Sequence, residues 1–122
     1  MNETGEYVFI YGTLKRGERN HRLLAGERFV GEAVTEPLYR LYDCGAYPAL
    51  VEDAANGRAV RGEVYLVDPP TLRRLDALEA APHLYQLLPV QVANFDRPVR
   101  AYLYCQEVSG LAECGESWSG PR

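Results

Sequence analysis

The chain has 122 residues, 47 % hydrophobic and 25 % charged, enough apolar side chains for one globular core without metal or disulfide staples. Its 17 acidic and 13 basic residues leave a net charge of -4 with no block of one sign, which argues against a nucleic-acid partner. No stretch approaches the roughly 20 apolar residues of a membrane span and the opening Met1–Glu6 is polar, so the sequence reads as one cytoplasmic domain over 1–122, its core at about 7–105.

A first strand is predicted at Tyr7–Tyr11, a β-branched and aromatic run stopped by Gly12 and expected to lie centrally. Lys15 to Asn20 reads as a charged loop, with Asn20 capping a short helix through His21-Arg22-Leu23-Leu24 that Gly26 ends. Strands follow at Phe29–Val34, Tyr39–Tyr42, Ala49–Val51 and Val60–Val67. Asp68 before Pro69 and Pro70 marks a helix start, and Pro82 after Ala80-Ala81 its stop. Strands at Tyr85–Val92 and Arg100–Cys105 complete the series. The segment 108–122, rich in Gly, Ser and Glu with one Trp, reads as a loosely packed tail. Tyr is overused, at 9 against 3 Phe, which suits a β-rich shell around a partly polar pocket.

Two places carry chemistry. Gly12 directly after a buried strand allows positive φ or close approach of backbone to a ligand, and the N–H groups of Gly12, Thr13 and Leu14 are then able to converge on an anion. By spacing alone the same residues equally make an ordinary turn. The second place is sharper, because it sets a carboxylate where a helix should be apolar. At about 100° per residue Glu79 falls between Leu72 and Leu75, away from Arg73 and Arg74, and an inward acid without a cation is costly unless it meets a polar pocket or stays protonated. The bland reading is a glutamate at a frayed helix end or one bonded to backbone. Asp76, at the edge of the apolar face, is the competing acid and is expected to bond a neighbouring turn.

The other candidates are weaker. Cys44, Cys105 and Cys114 are odd in number and lack a CxxC pair, so they read as reduced thiols, Cys105 as core filler. Cys44-Gly45 offers a nucleophile on a turn without a local His to activate it. His21 and His83 sit in a charged loop and a Pro-His-Leu turn, too few to assemble a metal site, and none is expected. Tyr47-Pro48-Ala49 reads as an aromatic turn able to line a pocket, though core packing also accounts for it.

Taken together, Tyr11-Gly12-Thr13-Leu14-Lys15-Arg16-Gly17 with Asn20-His21, Gly62-Glu63-Val64-Tyr65 with Val67-Asp68, and Leu75-Asp76-Ala77-Leu78-Glu79 with Leu84-Tyr85 resemble, in order and spacing, the motifs of the gamma-glutamylcyclotransferase-like family. The resemblance covers roughly residues 7–105 and fades after Cys105, where only Gly115-Glu116-Ser117-Trp118 is faintly similar to the family's closing motif. It implies an α+β fold built as a small Greek-key β-barrel of about six strands with flanking helices. It also implies that Tyr11, Gly12, Thr13 and Leu14 bind substrate and that Glu79 is the catalytic carboxylate.

The reaction so implied is release of 5-oxoproline from a small gamma-glutamyl amide, whose own α-amine is the nucleophile, so no cofactor is expected. The residues do not distinguish whether the loop N–H groups hold the α-carboxylate or the developing oxyanion, and they leave the departing amine open. The alternatives are a non-catalytic binding module that keeps the same pocket and, more remotely, a cysteine-dependent hydrolase using Cys44.

Overall fold

The computed structural model describes residues 5–81 and 83–120. A continuous apolar run is what a strand buried on both faces requires. β1, Glu6–Ile10, meets that expectation: Val8 and Ile10 face one core cluster while Phe9 and Tyr11 face the other. β1 is the middle strand of a five-stranded sheet, between antiparallel β5, Arg61–Val67, and parallel β7, Val99–Tyr104. β2, Arg28–Val34, flanks β5, and β6, Tyr85–Val90, flanks β7. Pro89 is tolerated in β6 because it is an edge strand. A second sheet of three strands is built from β3, Tyr39–Asp43, β4, Pro48–Glu52, and β8, Ala112–Glu113.

The expected ladder of about six strands closed into a Greek-key barrel is thus replaced by two open sheets. The edges of the larger one approach only past the ends of β2 and β6, at a bridge between Thr35 and Val92. Glu36 and Ala93 donate backbone bonds to Gln91 and Val34 there. The mixed α+β class holds, with one α-helix and one 3-10 turn among the described residues.

The helix α1, Pro69–Leu78, starts as the sequence dictates. Asp68 extends its backbone and accepts the Thr71 N–H at 3.0 Å, with prolines in the first turn where no N–H is needed. Glu27 reaches over from the chain before β2 and takes the Asp68 N–H and the Thr71 hydroxyl, so the helix is anchored to the sheet it covers. Leu75 is fully buried in the cluster formed with Val8, Ile10, Tyr65, Tyr85 and Tyr102, whereas Leu78 is 40 % exposed. The expected stop at Pro82 lies outside the described residues. The helical geometry already ends at Glu79, because Ala80 adopts φ 54°, the left-handed region.

Three further expectations are corrected. Asn20 makes no side-chain cap on the 3-10 turn η1, His21–Leu24; its amide is spent on Thr13 instead. Cys105 is exposed just beyond β7 and fills no core. The C-terminal segment is not a loose tail: Trp118 is 3 % exposed within the cluster of Phe9, Tyr39 and Leu41, and its indole N–H donates to Asp43. Arg61 and Glu116, Lys15 and the Trp118 carbonyl, and Gly120 and Glu18 fasten the rest of it. No described helix is long and apolar enough to cross a membrane.

Candidate active site

The end of β1, the end of α1 and the start of β4 converge on one narrow cavity, about 330 Å³ when its open mouth is included. Tyr11, Gly12, Thr13, Leu14 and Glu79, residues far apart in sequence, all line it, with Tyr47, Pro48, Tyr85 and Tyr102 forming further wall.

Gly12 owes its identity to close approach. Its φ is not positive, but a Cβ there would stand 2.7 Å from Cγ of Pro48, so the first residue of β4 lies directly against it. Tyr85 holds that wall by donating its hydroxyl to the Pro48 carbonyl at 2.5 Å. Beyond Gly12 the chain turns, with the Lys15 N–H on the Gly12 carbonyl. Among the described residues, the N–H groups of Gly12, Thr13 and Leu14 have no acceptor, although all three residues are buried. Buried backbone donors are almost always paired, so three together mark a place built for an acceptor.

Glu79 is the carboxyl of the cavity. The residue as a whole is half-buried, yet its acid group has no hydrogen-bond partner among the described residues, and burial pushes it from the usual 4.5 up to about 7. The tyrosines around it are committed elsewhere. Tyr11 donates to the Tyr102 carbonyl at 2.5 Å, and Tyr102 donates to Asp76 at 2.6 Å. Burial, reinforced by the Glu79 charge, raises the Tyr11 phenol, and burial followed by the Asp76 bond raises that of Tyr102. The Tyr85 phenol is likewise raised, first by burial. These hydroxyls stay protonated and shape the wall, leaving Glu79 as the cavity's group that ionises near neutral pH.

Tyr11 therefore presents its ring to the cavity, while its hydroxyl proton is fixed on backbone. Asp76 does not bond a turn as expected but serves Tyr102 on β7. Tyr85 enters the sequence reading only as part of the Leu84-Tyr85 motif and Tyr102 only as a strand residue; neither is assigned to the cavity there, and the alternation of β6 and β7 is the further signal that points them inward. Cys44 does not line the cavity, and burial raises its thiol, which disfavours a thiolate nucleophile. Among the described residues no three His, Cys, Asp or Glu side chains gather as a metal site would need.

Comparison with known proteins places this cavity in a family. Residues 8–120 match the profile described as gamma-glutamyl cyclotransferase, AIG2-like, and the chain belongs to that family. It is 52 % identical over 79 residues to a Vibrio cholerae protein described as a candidate gamma-glutamylcyclotransferase, covering 65 % of this chain and 66 % of that one. It is 44 % identical over 86 residues to human gamma-glutamylaminecyclotransferase, covering 65 % of this chain and 56 % of that one. This chain thus spans just under two thirds of the first relative and little more than half of the second. The crystal structure of a mouse AIG2-like protein superposes with a TM-score of 0.83 at 30 % identity, over 96 % of this chain and 90 % of that one.

Proposed function

We propose that this chain is a gamma-glutamylcyclotransferase that cleaves a gamma-glutamyl amide into 5-oxoproline and a free amine, with Glu79 as its general acid/base. One observation carries the reading: a carboxyl and three backbone donors, all without hydrogen-bond partners among the described residues, line one cavity. A carboxyl able to gain and lose a proton near neutral pH is what a proton transfer needs.

In the proposed reaction the α-ammonium of the glutamyl group gives a proton to ionised Glu79, and the freed amine attacks the γ-carbonyl carbon. A C–N bond forms, the carbonyl oxygen becomes an oxyanion, and the five-membered ring closes. Collapse of that intermediate breaks the original amide C–N bond as Glu79 returns the proton to the departing nitrogen, and the second proton lost by the attacking nitrogen passes to the freed amine, which leaves as an ammonium while the ring nitrogen becomes a neutral lactam N–H. No water is consumed, and the acid ends as it began. A pKa near 7 suits both transfers, since the group must accept and then release a proton at neutral pH. Holding the glutamyl chain folded supplies much of the rate, because well-oriented intramolecular reactions reach effective molarities of roughly 10⁵ M or more. The free N–H groups of Gly12, Thr13 and Leu14 offer electrostatic support to a carboxylate or to the oxyanion.

The test is direct: incubate the protein with a panel of gamma-glutamyl compounds, including gamma-glutamyl-lysine and gamma-glutamyl amino acids, and quantify 5-oxoproline. Release from at least one member with equimolar amine supports the reading. Binding without turnover across the panel would show a module that keeps the pocket and lacks the chemistry.

A further inference from the structure

The donors of the Gly12–Leu14 loop are useful only if their peptide planes are held the right way round. In a trans peptide the N–H and C=O of one unit point in opposite directions, so anchoring the carbonyl also aims the N–H. The two units that carry the Thr13 and Leu14 N–H groups are anchored in this way. The carbonyl of Gly12, in the unit that carries the Thr13 N–H, accepts from Lys15. The carbonyl of Thr13, in the unit that carries the Leu14 N–H, accepts from the Asn20 backbone at 2.9 Å, and Asn20 Nδ2 donates to Thr13 Oγ1 at 3.0 Å. The next carbonyl, of Leu14, lies 2.9 Å from His21 Nδ1; its unit carries the Lys15 N–H, so His21 acts on the Thr13 plane through the Lys15 bond to the Gly12 carbonyl. Since a carbonyl oxygen only accepts, that contact requires the imidazole proton on Nδ1.

Asn20 and His21 do not line the cavity, whereas Thr13 and Leu14 do. Three successive carbonyls are therefore tied, two of them to residues outside the cavity lining, and among the described residues the N–H groups of Thr13 and Leu14 have no acceptor. A flip of either plane would exchange an N–H for a carbonyl oxygen, which repels an anionic ligand.

We propose that Asn20 and His21 are positioning residues for the cyclotransferase reaction, which hold the peptide planes of the Gly12–Leu14 loop with their N–H groups directed at substrate. The assignment rests on the cyclotransferase reading above. Both side chains are partly exposed, and the ring of His21 contacts Tyr65 at 6.0 Å between centroids, so replacing them leaves the core intact.

The experiment compares His21→Asn, His21→Gln and His21→Ala, with Asn20→Ala as an independent variant. Asn carries an amide nitrogen at the level of Nδ1, whereas Gln places it at the level of Nε2, and Ala has none. For 5-oxoproline release, kcat/KM is expected to fall about tenfold or more in His21→Ala and His21→Gln, and to stay within about threefold of wild type in His21→Asn. In the same proteins the amide ¹H–¹⁵N resonances of Thr13 and Leu14 should shift in the two impaired variants and hold position in His21→Asn. A ring that merely packs against Tyr65 predicts equal damage in all three, and that pattern overturns the assignment, as does wild-type kcat/KM in His21→Ala. If the His21 variants do not fold, Asn20→Ala decides: a fall of at least about threefold with displaced Thr13 and Leu14 resonances supports the inference, and unchanged values sink it. If the wild type turns over no panel member, the cyclotransferase reading fails on its own, and the loop assignment is judged by the amide resonances alone.

Discussion

Replacement of Glu79 by Gln separates a catalytic carboxyl from a structural one, because the two roles demand opposite effects on stability. Burial raises the acid from 4.5 to about 7 in the folded chain, so between those values the native state binds more protons than the unfolded state. Stability from this group is therefore fully present below about pH 4.5, declines as pH rises toward 7 and levels off above it. At about 1.4 kcal/mol for each tenfold in acidity, the cost at pH 7 is at most about 3 kcal/mol, and water reaching the half-buried side chain trims it to roughly 1–3. Gln keeps the shape of the protonated acid and does not titrate. Glu79→Gln should therefore match the wild type in Tm near pH 4 and exceed it at pH 7, at about 3–5 °C per kcal/mol for a chain of this size. Turnover should drop by roughly 10² to 10⁴, the share of a general acid/base. Thermal melts of both proteins from pH 4 to 8, with 5-oxoproline release on the same preparations, measure both effects. A variant that melts lower at pH 7 and keeps its activity per folded molecule would refute the reasoning.

The other expectations follow from packing and accessibility. Gly12→Ala should raise KM or abolish turnover because its Cβ meets the Pro48 ring, and Gly12→Ala with Pro48→Ala should recover part of the loss, which a requirement for positive φ would not allow. Trp118→Ala should cost about 3–5 kcal/mol in urea melts, as for a large buried aromatic, whereas a loose tail predicts no change. Full activity after iodoacetamide treatment, or in Cys44→Ser, is expected if the thiols are bystanders, and loss in both would revive a cysteine mechanism. The acid limb of kcat/KM should fall near pH 7, where free Glu79 ionises, and a limb below pH 5 would mean that the carboxyl is not the base.

The strands were legible wherever local chemistry decided them. β1 showed as an unbroken apolar run ended by glycine, and α1 as an aspartate cap before two prolines. Glu79 was legible for a similar reason, since an acid on an apolar helical stripe violates the pattern around it. What stayed hidden depended on distant partners. The φ of Gly12 was read as a possible left-handed turn, but its constraint comes from Pro48, brought across by pairing of β3 and β4. Trp118 looked like part of a polar tail because composition averages over a segment, while burial is settled by one side chain meeting Phe9 and Leu41. His21 was dismissed as a metal ligand and Asn20 was read as a helix cap; both in fact face backward onto the loop, seven residues earlier in the chain.

The position of Glu79 at the close of α1 bears on its acidity as well as on its reach. It is the cap residue, with its own N–H on the Leu75 carbonyl, and the last turn of the helix carries no basic side chain. The carbonyls of Leu75, Asp76 and Ala77 accept from the N–H groups of Glu79, Ala81 and Ala80, so it is burial that opposes ionisation of the carboxyl. Ala80 then enters the left-handed region, at a cost of about 1 kcal/mol, and its carbonyl accepts from His83 and Leu84 as the chain turns away toward β6. A carboxyl one turn earlier would be held rigidly against the sheet, and one turn later would hang in solvent. At the cap it reaches the cavity with no cation to satisfy it. The same cavity is lined by the Gly12–Leu14 loop, whose N–H groups, of partial positive charge, have no acceptor among the described residues. In the proposed reaction a glutamyl group would direct its anionic or oxyanionic oxygen toward the Gly12–Leu14 amides and its ammonium toward Glu79, which would set the attacking nitrogen beside the proposed base.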